Sequence, residues 1–470
     1  MPNVSSLLQV PWPWRWRVLA TLALYAAYLP LSGYGPGQFR FDAAEYWELS
    51  LKFTPAGGFS LLAFDEPLRG YLGPLLVLPA RLLCHVTGWN MLTGARVLGA
   101  GWAALLFGVA LPALWARSTG RALSGGRWLV LLGFGFIFWR DYFNFTLSDM
   151  PALALLLLGL AALGRRGWGW AGAAGGLLAA AVNIRPIYLA CLPGVLWLLV
   201  NAANPVSLPQ LAKSLAALVA GVAFVLLPQL LINQRHFGRN SPLVLAQRPG
   251  KAPLYLRQLT WGTAFQRYET SLVPAIPRSL VYADSAGQRA LAAAGGGFGN
   301  YGEFLKFLSQ HPFSSAARYA RHLFNGLDIR SPTPYPTRLH SPGQAGLRLL
   351  NYSLLGLGLW LAWKHRHCVR SPQPSDEPVT VPPAAVLGVL LLPCLLVLPT
   401  LMECRFLLPL HLLLLTGIAA AWQPLAGWPS AHGAGRRMAL LALAAGWLWG
   451  CWQLSEATAG QRRPPSEAPK

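Results

Sequence analysis

The chain has 470 residues, of which 54% are hydrophobic and only 11% charged, with 20 tryptophans and a formal net charge of +22. No soluble domain has enough interior to hide so much apolar sequence. Its long runs are continuous rather than alternating, which argues against a closed β-barrel and for an all-α polytopic membrane protein. The positive charge is no nucleic-acid footprint, because no zinc-finger, RNA-recognition or helix-turn-helix pattern accompanies it and basic residues collect in short cytoplasmic loops and near anionic headgroups.

Arg15 and Arg17 precede the first predicted span, about residues 17–33, and place the N-terminus in the cytoplasm. No A-x-A site follows, so the run is expected to be an uncleaved anchor. The first outer loop, 34–93, opens with Phe41-Asp42-Ala43-Ala44-Glu45-Tyr46-Trp47. Within it, Gly70–Val86 carries Pro74, Pro79, Arg81 and His85, which predicts an interfacial helix rather than a crossing. Further spans are predicted at about 94–116, 128–142, 149–164, 168–185, 187–202, 212–232, 346–363, 384–401, 404–423 and 437–454. That makes about 11 transmembrane helices (range about 10–13). Alternation then puts Arg117/Arg121/Arg127, Arg165/Arg166, Lys364/Arg366/Arg370 and Arg436/Arg437 in short inner loops, as the positive-inside rule requires.

Three parts follow: an N-terminal transmembrane catalytic module (1–232), a periplasmic loop region (233–345) and C-terminal transmembrane helices (346–470). The loop region is basic, and Phe304–Leu308 and Phe313–Leu327 carry apolar residues at helical spacing, the pattern of amphipathic helices lying on a membrane. Ser331–Pro336 reads as an extended connector and Ser371–Pro383 as a Pro-rich inner loop. Six scattered cysteines form no CxxC pair and read as small buried hydrophobes.

Asp42, Asp149, Arg185, Glu403 and Arg405 all fall where a predicted span leaves the bilayer on the outer side. Ionisable groups there are expensive and usually functional. Structural roles compete at each: Asp42 as a helix cap, Asp149 as a helix start before Pro151, Arg185 snorkelling to headgroups, Arg405 paired with Glu403, Trp47 in an aromatic belt.

The order of motifs resembles the type C (GT-C) glycosyltransferases that use polyprenyl-phosphate sugars. It runs from Asp42-x-x-x-Tyr46 after the first span, through an interfacial helix and Arg96 in the next span, to Leu147-Ser148-Asp149-Met150-Pro151. The aminoarabinose lipid A transferases and protein O-mannosyltransferases are similar over about Arg15–Leu163, and Glu403-Cys404-Arg405-Phe406-Leu407-Leu408-Pro409 weakly resembles the family's Arg-Tyr-x-x-Pro stretch. The resemblance implies that Asp42 is the catalytic base, that Tyr46 and Asp149 match the family's tyrosine and second outer-loop acid, and that Arg96 matches an arginine of the second span. It departs from the family at Asp65-Glu66-Pro67-Leu68, where a phosphate-contacting lysine is replaced by Glu66, so another cation must serve.

Transfer of a sugar from a lipid phosphate needs a base for the acceptor hydroxyl, cations for the departing phosphate and an apolar groove for the polyprenyl tail. Asp42 and Asp149 are the catalytic candidates. Tyr46, Glu45, Arg96, Arg140, Arg185, Glu403 and Arg405 are the candidate substrate contacts. No metal is expected: His365-Arg366-His367 is a basic flank, and His236, Asp42 and Asp149 lack ligand spacing. The expected partners are a polyprenyl-phosphate sugar donor, a lipid, glycan or protein acceptor, and membrane lipids. The expected location is a bacterial inner membrane with the site facing the periplasm. The rivals are an O-antigen ligase or polymerase using loop arginines, and a lipid or sugar transporter, which would show a repeat and charges buried mid-span.

Overall fold

Each of the eleven apolar runs is helical in the computed structural model, as expected of backbone that must bond within its own segment once water is removed. The structure describes residues 8–202, 207–273, 279–338, 343–364, 381–422 and 434–463. Arg366 and Arg370, expected in an inner loop, with His365-Arg366-His367, Cys368 and most of Ser371–Pro383, lie outside the described residues. The protein is mostly helical, and among the described residues five helices are long and apolar enough to cross a membrane: Met91–Thr119, Pro209–Phe237, Gln344–Lys364, Cys404–Ala421 and Met438–Ala459. Shorter apolar helices accompany them, among them Leu72–Thr87, the expected interfacial helix, and Asp149–Leu163. Of the described cysteines, Cys84, Cys191, Cys394 and Cys451 are buried and Cys404 is half-buried.

The chain divides into two compact units. The first is drawn from Met1–Gly126, Trp139–Leu254 and Gln373–Leu395. One close seam joins the helices Trp168–Ile184 and Leu208–Phe237. A methyl group on Gly221 would stand 2.0 Å from the Gly172 carbonyl oxygen, and one on Gly175 would stand 2.1 Å from that of Leu218, so the backbones touch. Such small-residue seams suit helices that have no hydrophobic effect to drive them together.

A file of buried amides runs through the same unit. Asn183 Nδ2 donates to Gln229 Oε1 at 3.0 Å, Gln229 Nε2 to Asn233 Oδ1 at 3.0 Å, and Asn233 Nδ2 to the carbonyls of Ser241 and Leu243 at 2.7 and 2.8 Å. The file also receives the first amides of the Leu72–Thr87 helix: Leu72 N donates to Asn183 Oδ1 and Tyr71 N to Gln229 Oε1. Those amides have no partner inside their own helix, so the file acts as its cap.

The second unit, from Arg127–Phe138, Tyr255–Pro372 and Leu396–Lys470, contains a small antiparallel sheet that no pattern in the sequence announces. Strands β1 (Phe265–Thr270) and β2 (Ser279–Ala283) pair, and β3 (Arg462–Arg463) adds to β2. These strands are too short for a periodic signal to stand out from the surrounding loop. The expected loop helices form at Tyr301–Gln310 and Pro312–Leu327, joined by unforeseen helices at Leu254–Ala264 and Ser285–Ala293.

Asp328 is wholly buried here and fully engaged. It accepts from Arg267 Nη1 (3.0 Å), Arg330 Nε (2.9 Å), Ser455 Oγ (2.6 Å) and Tyr352 OH (2.8 Å). Burial alone would raise its pKa, but Arg267 and Arg330 outweigh it and hold the carboxyl below its ordinary range.

Candidate active site

The helix Phe41–Leu49 carries the first acidic motif. It opens on Phe41 with φ at 59°, left-handed backbone that a bulky residue rarely adopts. Backbone of this kind concentrates at functional sites. Ala43, Tyr46, Trp47 and Leu49 are buried, while Asp42 and Glu45, one turn apart, are half-exposed. No side-chain cap closes the helix start. Trp47 packs edge-on to Phe39, and its carbonyl accepts from Arg81 Nη1 at 2.8 Å, so it belongs to the core of this unit rather than to an aromatic belt.

The partner of the acidic pair is Arg69. Its Nη2 lies 2.9 Å from Glu45 Oε2 and 3.4 Å from Asp42 Oδ1, its Nε lies 3.5 Å from Glu45 Oε1, and the guanidinium sits 5.2 Å from the centre of the Tyr46 ring. Arg69 was not among the sequence candidates. The signal was present, since it stands three residues beyond Glu66, where the resemblance left a cation to be found.

The second motif begins the helix Asp149–Leu163. Asp149 is 1% exposed and pairs with Arg185, the residue that ends the helix Trp168–Ile184. Arg185 is therefore an ion-pair partner of Asp149. The segment leading to Asp149 touches the first motif, because Thr146 Oγ1 donates to the Ala43 carbonyl at 2.6 Å, and Phe145 packs against Tyr34 and Phe39 of the first loop. An apolar cavity lies at this junction, lined among others by Tyr46, Val77, Trp102, Phe143, Met150 and Ile184.

Arg96 has a different occupation from that expected. Its Nη2 donates to Ser32 Oγ at 2.6 Å and to the Tyr34 carbonyl at 3.0 Å, which holds the start of the first loop. Ser32 Oγ also accepts from Asn144 Nδ2, which donates to Asp141 Oδ1 at 2.8 Å, and Tyr28 OH donates to the same carboxylate. Asp141 was passed over in favour of its neighbour Arg140, whose guanidinium stacks over the Tyr28 ring. The sign that singled out Asp42, an acid at the edge of an apolar run, applied equally to Asp141.

The helix carrying Asp42, Glu45 and Tyr46 is thus tied through Ala43 to the segment that leads to Asp149 and its partner Arg185, and Tyr46 lines the cavity together with Ser148 and Met150, the neighbours of Asp149, while Arg96 and Arg140 lie on the network that anchors the first loop. Glu403 and Arg405 belong to the second unit and form a two-bonded pair with each other, Nε to Oε2 at 2.6 Å and Nη2 to Oε1 at 3.1 Å. His236 Nε2 contacts the Leu62 carbonyl at 2.8 Å, and among the described residues no three His, Cys, Asp or Glu gather as metal ligands would.

No protein-family model matches the sequence, and a search of curated proteins finds no match to it.

Proposed function

We propose that the protein is an integral membrane glycosyltransferase of the GT-C type, with about 11 spans, which moves one sugar from a polyprenyl-phosphate donor to a lipid, glycan or protein acceptor at the periplasmic face of a bacterial inner membrane. The observation that carries this reading is the half-exposed Asp42–Glu45–Arg69 group in the unit that also holds an apolar cavity lined by Tyr46. A base, a cation and a greasy recess are what the reaction asks of a site.

In the proposed step the acceptor oxygen attacks the anomeric carbon as Asp42 takes its proton. The bond from that carbon to the phosphate oxygen breaks, and polyprenyl phosphate leaves with the electron pair, giving inversion. Arg69 offers the departing phosphate a planar set of donors, the geometry in which arginine binds such groups best. Asp149, held by Arg185, begins the helix whose Met150 and Pro151 line the cavity with Tyr46. The reading based on loop arginines is weaker, because Arg267, Arg318 and Arg330 are committed to Asp328 and Asp284.

The test is turnover by the purified protein with undecaprenyl-phosphate sugars, followed as release of the free lipid phosphate. Asp42→Asn is expected to abolish release while the protein elutes as a folded monodisperse species. Undiminished turnover in that variant ends the proposal.

A further inference from the structure

The helix Pro312–Leu327 is turned inside out relative to an ordinary surface helix, which buries its apolar stripe and wets its polar one. Its polar residues Ser315, Arg318, His322 and Asn325 are 3%, 2%, 0% and 0% exposed. Its apolar residues Phe313, Ala316, Ala317, Ala320 and Leu323, at helical spacing on the other side, are exposed, Phe313 by 90%.

The rotation is fixed by bonds on the inner side. Asp284 Oδ2 accepts from Arg318 Nε at 3.1 Å and from Arg321 Nη2 at 2.9 Å, while its Oδ1 accepts from the Gly287 amide. His322 Nδ1 donates to the Leu398 carbonyl at 2.6 Å, and Asn325 bridges the Gln266 carbonyl and Thr458 Oγ1. Rolling the helix to hide Phe313 would strand the buried Asp284 charge, which costs far more than one exposed ring gains.

The apolar stripe does not stop where exposure begins. Further along, Phe324 and Leu327 pack on Tyr352, Leu355 and Cys451. Those belong to Gln344–Lys364 and Met438–Ala459, two of the helices long and apolar enough to cross a membrane. One stripe therefore runs from contact with candidate spans out to open apolar surface, and the solvent that suits both ends is lipid.

We propose that Phe313, Ala316, Ala317, Ala320 and Leu323 seat this helix in a phospholipid surface at the headgroup–acyl boundary, with Asp284 as the lock that aims them there. This differs from the simple amphipathic expectation, in which the polar side faces water. It does not depend on the proposed sugar transfer. Arg321, bonded to Asp284 yet 44% exposed, stands where its free donors reach headgroup phosphates.

The test places a nitroxide at Phe313→Cys, Ala317→Cys and Leu323→Cys in a chain with its native cysteines replaced, reconstituted in phosphatidylcholine vesicles. Dioxygen, which enters the acyl region, is expected to relax these labels several-fold more effectively than a water-soluble nickel chelate. Preference for the chelate, or an immobilised label reached by neither reagent as under a protein partner or a second copy, overturns the proposal. Should the cysteine-free chain not fold, the wild-type protein with photoactivatable acyl lipids decides the same point: adducts within 313–323 support it, and adducts confined to 438–459 overturn it.

Discussion

Thr146 donates its hydroxyl hydrogen to the carbonyl of Ala43, 103 residues earlier in the chain, at 2.6 Å. That bond fastens the approach to the second acidic motif onto the helix of the first. Thr146→Val keeps the shape and removes the donor. It is expected to destabilise the protein by about 1 kcal/mol, the net worth of a typical buried hydrogen bond. Thr146→Ser should retain most of the stability. Thermal unfolding of the three forms in detergent decides this, and equal stability of Val and wild type would show the tether to be incidental.

Arg69 holds two carboxylates at once. Arg69→Ala removes the cation that Asp42 and Glu45 share, and with it the proposed phosphate donor. Turnover is expected to fall by about 10²–10³-fold, as when a positioned transition-state donor is lost. Arg69→Lys keeps the charge but gives up the planar fork, so it should recover only part of the activity. Full activity in the lysine form would mean that charge alone is required.

Gln229 is 1% exposed and serves three neighbours. Gln229→Leu orphans the Tyr71 amide, the Asn183 side-chain amide and Asn233 Oδ1, each a buried polar group. A loss of at least about 1–3 kcal/mol follows, the cost of one such orphan. Gln234, one turn on and exposed, is the control: Gln234→Leu should fall within about 0.5 kcal/mol of wild type. Similar melting of the two variants would deny the amide file its capping role.

Acid should loosen the second unit in two stages. Burial pushes the His322 pKa down to about 4, with its Nδ1 proton held by the Leu398 carbonyl. An unfolded histidine takes up a proton near pH 6.5. Between those values the unfolded chain binds the extra proton, so stability falls as pH drops, on the order of 3 kcal/mol when complete. Asp284 is also held below its ordinary range: burial would raise it, but the Gly287 amide, Arg318 and Arg321 outweigh burial. Asp284 and Asp328 therefore add stability present above the unfolded carboxylate range and lost as pH falls through their lowered values. His322→Gln should flatten the first stage and spare the second. An unchanged slope between pH 6.5 and 4 in that variant would remove His322 as the cause.

What was legible in the sequence was whatever a single segment decides for itself. Apolar runs became helices because their backbone has no other partner, the acidic motifs began helices, and Cys84, Cys191, Cys394 and Cys451 are buried. What was not legible was the choice of partner. Arg69 stands 27 residues from Asp42, and nothing local distinguishes it from Arg81, which binds a carbonyl instead. Arg96 looked like a phosphate ligand by position, yet its Nη2 is engaged by Ser32 and Tyr34. Asn183, Gln229 and Asn233 read as isolated polar residues in apolar runs, and only the fold aligns them. The rotation of Pro312–Leu327 followed its buried ion pair rather than its apolar stripe, because a charge left unpaired in the interior weighs more than exposed methyl groups.

Gly70 sits beside Arg69 in the chain, and a methyl there would stand 1.9 Å from the carbonyl oxygen of Asn183, two residues before Arg185. The segments that carry the two cations are thus packed main chain to main chain, and any residue larger than glycine at position 70 would have to force them apart.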